Sequence, residues 1–118
     1  MIRILLCVAG LTTSVAAQQS TSIGQGAILR GLDKISGQTT DLQMPIGSNA
    51  QLGRLTITLT DCRYPAGNLA GDAFAGLQVR ETGQVEPVFS GWMIASAPAL
   101  SAMDHNRYDV WVIRCTIS

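Results

Sequence analysis

The chain has 118 residues, of which 47% are hydrophobic, and its eight basic and eight acidic side chains give a formal net charge of zero. No basic stripe is present to neutralise phosphates, so the sequence predicts no nucleic-acid partner. Lys34 is the only lysine and the arginines are scattered singly, which equally disfavours binding to an anionic membrane surface. The length suits one compact domain.

The N-terminal segment has the pattern of a secretory signal peptide. Arg3 supplies a positive charge, residues 4–11 form an apolar run, and residues 15–17 place small side chains just before a scissile bond. The run is far shorter than the roughly 18 residues needed to cross a bilayer, so we predict no membrane span. Cys7 follows a leucine instead of the small residue that a lipoprotein site needs. We therefore expect cleavage after Ala17, with Cys7 discarded, and a periplasmic protein.

Cleavage would leave two cysteines, Cys62 and Cys115. In an oxidising compartment an even pair predicts one disulfide. The loss of chain entropy in a loop of 53 residues makes such a bond worth roughly 4 kcal/mol. A redox-active pair would lie closer together in the sequence, and two thiolates with a single histidine cannot complete a zinc site. We predict a structural disulfide, with no metal ion and no cofactor.

The rest of the chain alternates strand-length apolar stretches with turns. Residues 18–25 are polar and small, which predicts a flexible N-terminal arm ahead of a single β-domain over residues 26–118. Residues 27–35 form the first predicted strand and residues 42–46 the second. Pro45 lacks a backbone donor, so the second strand should lie at a sheet edge.

The clearest strand covers residues 55–60, where apolar side chains alternate with threonines. The two leucines and the isoleucine should face the core, and the threonines should face away from it. Cys62 has the parity of the threonines, so a regular strand would point it outward. A bulge near Asp61 or Cys62 would turn the cysteine inward.

Three further strands are predicted at residues 75–80, 88–94 and 108–117, the first two joined by a hairpin-like return. Ser96 as a cap and Pro98 as an early residue predict a short helix over residues 97–103. The last strand is apolar on both faces, which is typical of a central strand. Short strands separated by turns predict an all-β fold: a single compact antiparallel β-sandwich or small barrel with one short helix.

Several short blocks resemble the domain-of-unknown-function family numbered 2155. They follow one another from Gly26 to Cys115 and comprise residues 27–34, 52–55, 62–65, 72–75, 89–93, 98–105 and 108–111. The resemblance implies a small exported protein of alphaproteobacteria with no assigned activity. The resemblance supports the predicted export to the periplasm, and it implies no catalytic or binding mechanism.

His105 is the only histidine, so a hydrolytic triad would have to use it as the base. Ser101 or Ser96 would be the nucleophile, and Asp104 or Asp109 would orient the imidazole. No Gly-X-Ser-X-Gly elbow supports this arrangement. We favour the interpretation that His105 helps to turn the chain after the helix, and we predict no catalytic residue.

A calcium site is also disfavoured. Asn68 and Asp72 share one predicted loop, but their spacing matches no calcium-binding loop. The aspartates are better interpreted as solvated or turn-capping carboxylates.

The candidate binding surface is an aromatic segment that includes Trp92, Met93, His105 and Tyr108. Tryptophan and tyrosine dominate binding hot spots, although β-sandwich cores also bury such residues. We expect Trp111 to lie in the core, because its neighbours are apolar. Trp92 is the better candidate for exposure, because the serine and glycine before it leave room for another chain.

These features favour a non-enzymatic periplasmic binding or scaffold domain acting on an envelope partner, which would be a protein, a peptide or a glycan. One alternative is a small periplasmic hydrolase using His105 with an aspartate. Contact of His105 with both a carboxylate and a serine inside a cleft would favour it. The other alternative is an accessory subunit of an envelope complex, which an exposed apolar patch without a pocket would favour.

Overall fold

The structure is a computed structural model that describes residues 20–118, so the predicted signal peptide, residues 1–17, lies outside the described residues. Its strands are β1 (Thr21–Ile23), β2 (Gly26–Asp33), β3 (Thr39–Pro45), β4 (Asn49–Leu52), β5 (Leu55–Pro65), β6 (Phe74–Glu81), β7 (Phe89–Ile94) and β8 (Tyr108–Thr116). A short 3₁₀ helix, Pro98–Ser101, connects β7 to β8.

The strands form two antiparallel sheets. One sheet has the order β1-β5-β6-β7, with β4 also paired to β5, and the other has the order β3-β2-β8. Their inner faces pack together around one apolar core. The all-β prediction is therefore confirmed in its sandwich form, and the sheets do not close into a barrel.

The alternation predicted along β5 places its side chains correctly. Leu55, Ile57 and Leu59 are fully buried, whereas the intervening threonines are half-buried or exposed. Successive side chains of a strand point to opposite faces, so one row enters the core and the other faces solvent.

A bulge brings the cysteine of β5 into the core. The pairing register shifts between Leu59 and Asp61, which makes Thr60 the extra residue and reverses the parity of the residues that follow. Cys62 is consequently 0% exposed, and its Sγ atom lies 2.07 Å from that of Cys115 on β8. Because β5 and β8 belong to different sheets, this pair ties the two layers together across the core.

The long strand β5 carries two short strands along one edge. β4 pairs with residues 55–58 and β1 with residues 63–65. The predicted flexible arm therefore needs correction over residues 21–23, which form β1 instead. Its polar side chains gave no strand signal, because what holds β1 is backbone pairing to β5, which does not depend on an apolar pattern.

β8 is a strand as predicted, but it lies at an edge of its sheet, with β2 at the centre. Val110 and Val112 are buried in the core, and Trp111 and Ile113 point to the opposite, half-buried face. The prediction that Trp111 belongs to the core was therefore wrong. Apolar neighbours at adjacent positions of a strand do not share its face, so their composition says nothing about its burial.

The helix between β7 and β8 is shorter than predicted, and its N-terminus is not capped by Ser96 as predicted. The helix covers four residues, and no side chain caps its N-terminus. Ser96 hydrogen-bonds to Asp72 instead. No helix within residues 20–118 is both long and apolar enough to cross a membrane.

Candidate functional site

An exposed tryptophan marks the outer face of the larger sheet. Trp92 lies on β7 directly opposite Gly76 of β6, and 48% of its surface is exposed. The alternation of β7 requires this, because Met93 next to it points inward and is 3% exposed. The bare backbone of Gly76 leaves the indole without a bulky neighbour across the strand.

Four strands contribute one residue each to a depression beside this ring. Thr21 of β1, Arg63 of β5, Phe74 of β6 and Trp92 of β7 line a shallow space of about 320 Å³. The register explains their proximity, since Phe74 sits opposite Arg63 on one side and Ile94 on the other. We call this space the Trp92 groove.

Arg63 is the one charged residue that lines the Trp92 groove. Its Nε donates a hydrogen bond of 3.0 Å to Oδ2 of Asp61. The Arg63 side chain is 46% exposed and that of Asp61 only 23%. Across residues 20–118 the structure gives the two terminal nitrogens of Arg63 no hydrogen-bond partner, so they remain able to donate to a ligand.

The other predicted surface residues do not share this face. Met93 packs in the core, and Tyr108 is only 8% exposed. Tyr108 stacks on the ring of His105, with centroids 5.8 Å apart. The aromatic segment is therefore not one surface. Alternation along β7 sends Trp92 outward and Met93 inward, and Tyr108 is buried on β8 of the other sheet.

His105 is held on both ring nitrogens. Nδ1 accepts hydrogen bonds from the backbone amides of Arg107 and Tyr108, both at 3.1 Å. Nε2 lies 3.5 Å from Oε2 of Glu81. The backbone carbonyl of His105 also accepts from Nζ of Lys34 at 2.6 Å. These contacts fix the turn that precedes β8.

The residues of the alternative triad do not come together. The carboxylate next to His105 is Glu81 rather than Asp104 or Asp109. Asp109 accepts a hydrogen bond from the amide of Val110. Within the described part of the chain no serine hydrogen-bonds to His105, and its acceptor nitrogen is already used by two amides.

Asp72 acts as a cap that joins the loop before β6 to the end of β7. Oδ1 accepts from the amides of Ala73 and Ser96, and Oδ2 accepts from the Ser96 hydroxyl at 2.6 Å. Desolvation opposes ionisation, but the hydrogen bonds from the Ser96 hydroxyl, the Ser96 amide and the Ala73 amide outweigh it. The pKa of Asp72 is therefore lowered from its ordinary value.

The calcium interpretation of this loop is not favoured, because both carboxylate oxygens of Asp72 already accept protein hydrogen bonds. In residues 20–118 no three His, Cys, Asp or Glu side chains come together as metal ligands.

A second depression, of about 290 Å³, lies beside the C-terminal end of β8 between Leu69 and Ile117. It presents no exposed aromatic ring.

The sequence indicated Trp92 but not the other residues of the groove. Thr21, Arg63 and Phe74 are separated along the chain by loops, and only the strand register brings them together. The one signal in the sequence concerns Phe74. It precedes the buried alanine of β6, so alternation along the strand turns its side chain to the outer face.

The fold and this face define a small β-sandwich domain with cross-linked sheets and an exposed aromatic groove. Residues 27–115 match the family described as "Uncharacterized protein conserved in bacteria (DUF2155)", and the chain belongs to that family. This confirms the resemblance drawn from the sequence blocks, although the description names bacteria as a whole rather than alphaproteobacteria. No curated protein and no solved structure matches the chain.

Proposed function

We propose that this protein is a non-enzymatic periplasmic binding domain that holds an envelope partner in the Trp92 groove. The observation that carries the proposal is the exposed indole of Trp92, 48% open to solvent on a sheet face where Phe74 and Arg63 stand beside it. Aromatic and arginine side chains are the residues that most often dominate binding energy.

About half of the surface of Trp92 is left in water. A tryptophan buries on the order of 200 Å² when fully covered, so the exposed half of Trp92 amounts to about 100 Å². Covering that area would contribute about 2–3 kcal/mol at 25 cal/mol per Å². The groove is thus a place where a partner that covers the exposed half of the ring gains affinity.

The contacts of His105 favour binding over the hydrolase alternative. A general base must have a ring nitrogen free to accept the proton of a nucleophile. Nδ1 of His105 already accepts two amide hydrogens, and Nε2 faces the Glu81 carboxylate at 3.5 Å. These contacts support a structural role for the histidine.

Site-specific photo-crosslinking in living cells tests the proposal. A photoreactive amino acid at Ser90 lies on the same face as Trp92, two positions away on β7. The matched control position is Gln43 on β3 of the other sheet, which is also exposed. We expect adducts from Ser90 that disappear in Trp92→Ala and no such adducts from Gln43. Adducts at Ser90 that persist in Trp92→Ala, or none at all, would refute the proposal.

Processing is tested separately by N-terminal sequencing of the protein recovered from the periplasm. We expect the sequence to begin at Gln18. A retained Met1 or a lipid on Cys7 would contradict the predicted export route.

A further inference from the structure

The Trp92 groove has a polar end and an apolar end. At the polar end, Arg63 uses Nε for Asp61 and leaves both terminal nitrogens for a ligand. Asp61 does not line the groove and is the less exposed member of the pair, so the face presents the guanidinium. Two parallel N–H groups of a guanidinium match the two oxygens of a carboxylate.

At the apolar end, Phe74 and Trp92 stand on neighbouring strands. Their rings are positioned to cover one aliphatic or aromatic side chain. A space of about 320 Å³ is at the small end of the range for ligand sites, which fits a side chain and a short piece of backbone better than a cofactor.

The separation of the two ends sets the length of the occupant. β6 lies between β5 and β7, and the positions of Arg63 and Trp92 are offset by two residues along the strands. Two strand spacings of about 4.8 Å and an offset of about 6.7 Å place the two Cα atoms about 12 Å apart. An extended peptide covers that distance in about four residues, and this even separation directs both side chains to the same face.

We propose that the Trp92 groove binds an extended peptide segment of the partner that carries an apolar side chain and, four residues away, a side-chain carboxylate. This inference rests on the proposed function, because it names the chemistry of the partner at the same site. The apolar side chain lies on Phe74 and Trp92, and the carboxylate accepts hydrogen bonds from Arg63. A neutral glycan would use the rings but would bring no carboxylate to the two terminal nitrogens of Arg63, which Asp61 does not use, so the charge favours a peptide.

The test uses the exported form, residues 18–118, labelled with nitrogen-15. The chain has two tryptophans, so the spectrum contains two indole N–H signals, and Trp92→Phe assigns them. The probes are acetyl-Leu-Ala-Ala-Ala-Glu-amide, the same peptide with its two end side chains exchanged, and the analogues in which glutamine replaces glutamate. We expect peptide to shift the Trp92 signal and to leave the Trp111 signal in place.

The charge contact is tested with a matched pair of variants. Arg80 is exposed on the same outer face of β6 and does not line the groove, so Arg80→Gln changes the net charge as Arg63→Gln does. We expect at least one glutamate peptide to bind about fivefold more tightly than its glutamine analogue. That difference should vanish in Arg63→Gln, persist in Arg80→Gln and shrink at high ionic strength.

Equal binding of the glutamate and glutamine peptides, or a difference that survives Arg63→Gln, would overturn the inference. A shift of the Trp92 signal with maltose and none with any peptide would overturn it in favour of a glycan. If no probe binds while the Trp92-dependent crosslinks from Ser90 persist, the peptide inference fails and the proposed function stands. Loss of those crosslinks is the separate result that removes the proposed function.

Discussion

Reduction of the bond between Cys62 and Cys115 should remove a large part of the stability of the sandwich. The bond closes a loop with a sequence separation of 53 residues, which corresponds to roughly 4 kcal/mol of chain entropy in the unfolded state. A domain of this size has a total stability of about 5–10 kcal/mol. We therefore expect the reduced protein to retain only about half of its free energy of unfolding.

Reduction is a cleaner perturbation than substitution, because both cysteines are buried and serine would place hydroxyl groups in the core. The assay is urea unfolding of the oxidised and the reduced protein, followed by the fluorescence of the tryptophans. The double variant Cys62→Ser/Cys115→Ser is the control, and its midpoint should not respond to reductant. Coincident midpoints for oxidised and reduced wild-type protein would refute the argument that this bond holds the two sheets together.

Three further outcomes are expected. Ile57→Ala, in the core, should lower the free energy of unfolding by about 2–4 kcal/mol, against under about 1 kcal/mol for Thr58→Ala; equal losses in urea titrations would mean that the faces of β5 are misassigned. The lowered pKa of Asp72 stabilises the fold above its unfolded pKa of about 4, and this contribution is lost as the pH falls through the folded value. Acid titration of stability should therefore be shallower in Asp72→Asn, and an unchanged slope contradicts the capping role. Trp92→Ala should cost about half of the roughly 3–5 kcal/mol that truncation of a buried tryptophan costs, because 48% of the residue is exposed; the full cost in urea titrations would mean that the ring belongs to the core.

Local patterns in the sequence predicted the parts of the fold that depend on local geometry. The alternation along β5 identified its buried face, and the conflicting parity of Cys62 predicted a bulge near Asp61 or Cys62, which the structure has at the preceding residue, Thr60. Pro45, with no amide donor, correctly placed β3 at a sheet edge. In each case, the side chain or the backbone donor of a residue limits where its own strand can lie in the sheet.

The features of the fold and the groove that the sequence did not predict depend on the pairing register between distant strands. β1 has no apolar pattern, and only its backbone pairing with the far end of β5 makes it a strand. Trp111 has apolar neighbours in sequence that point to the other face, which led to the wrong placement. Arg63 and Phe74 meet across a pairing that no periodicity encodes, so the polar end of the groove became visible only in three dimensions.

The pairing of β2 with β8 joins the two ends of the domain, with Ala27 opposite Cys115. A ribosome releases the N-terminal strand long before the C-terminal one, so Leu29 has no partner on that side until the last strand arrives. Contacts between such distant positions stabilise the chain only after a long loop has closed, and closing that loop costs conformational entropy. Folding is therefore slower than that of a helical domain of equal length. A chain that ends four residues early would lack Cys115, the partner of Cys62, and could not form the bond that joins the two sheets, although most of β8 would remain.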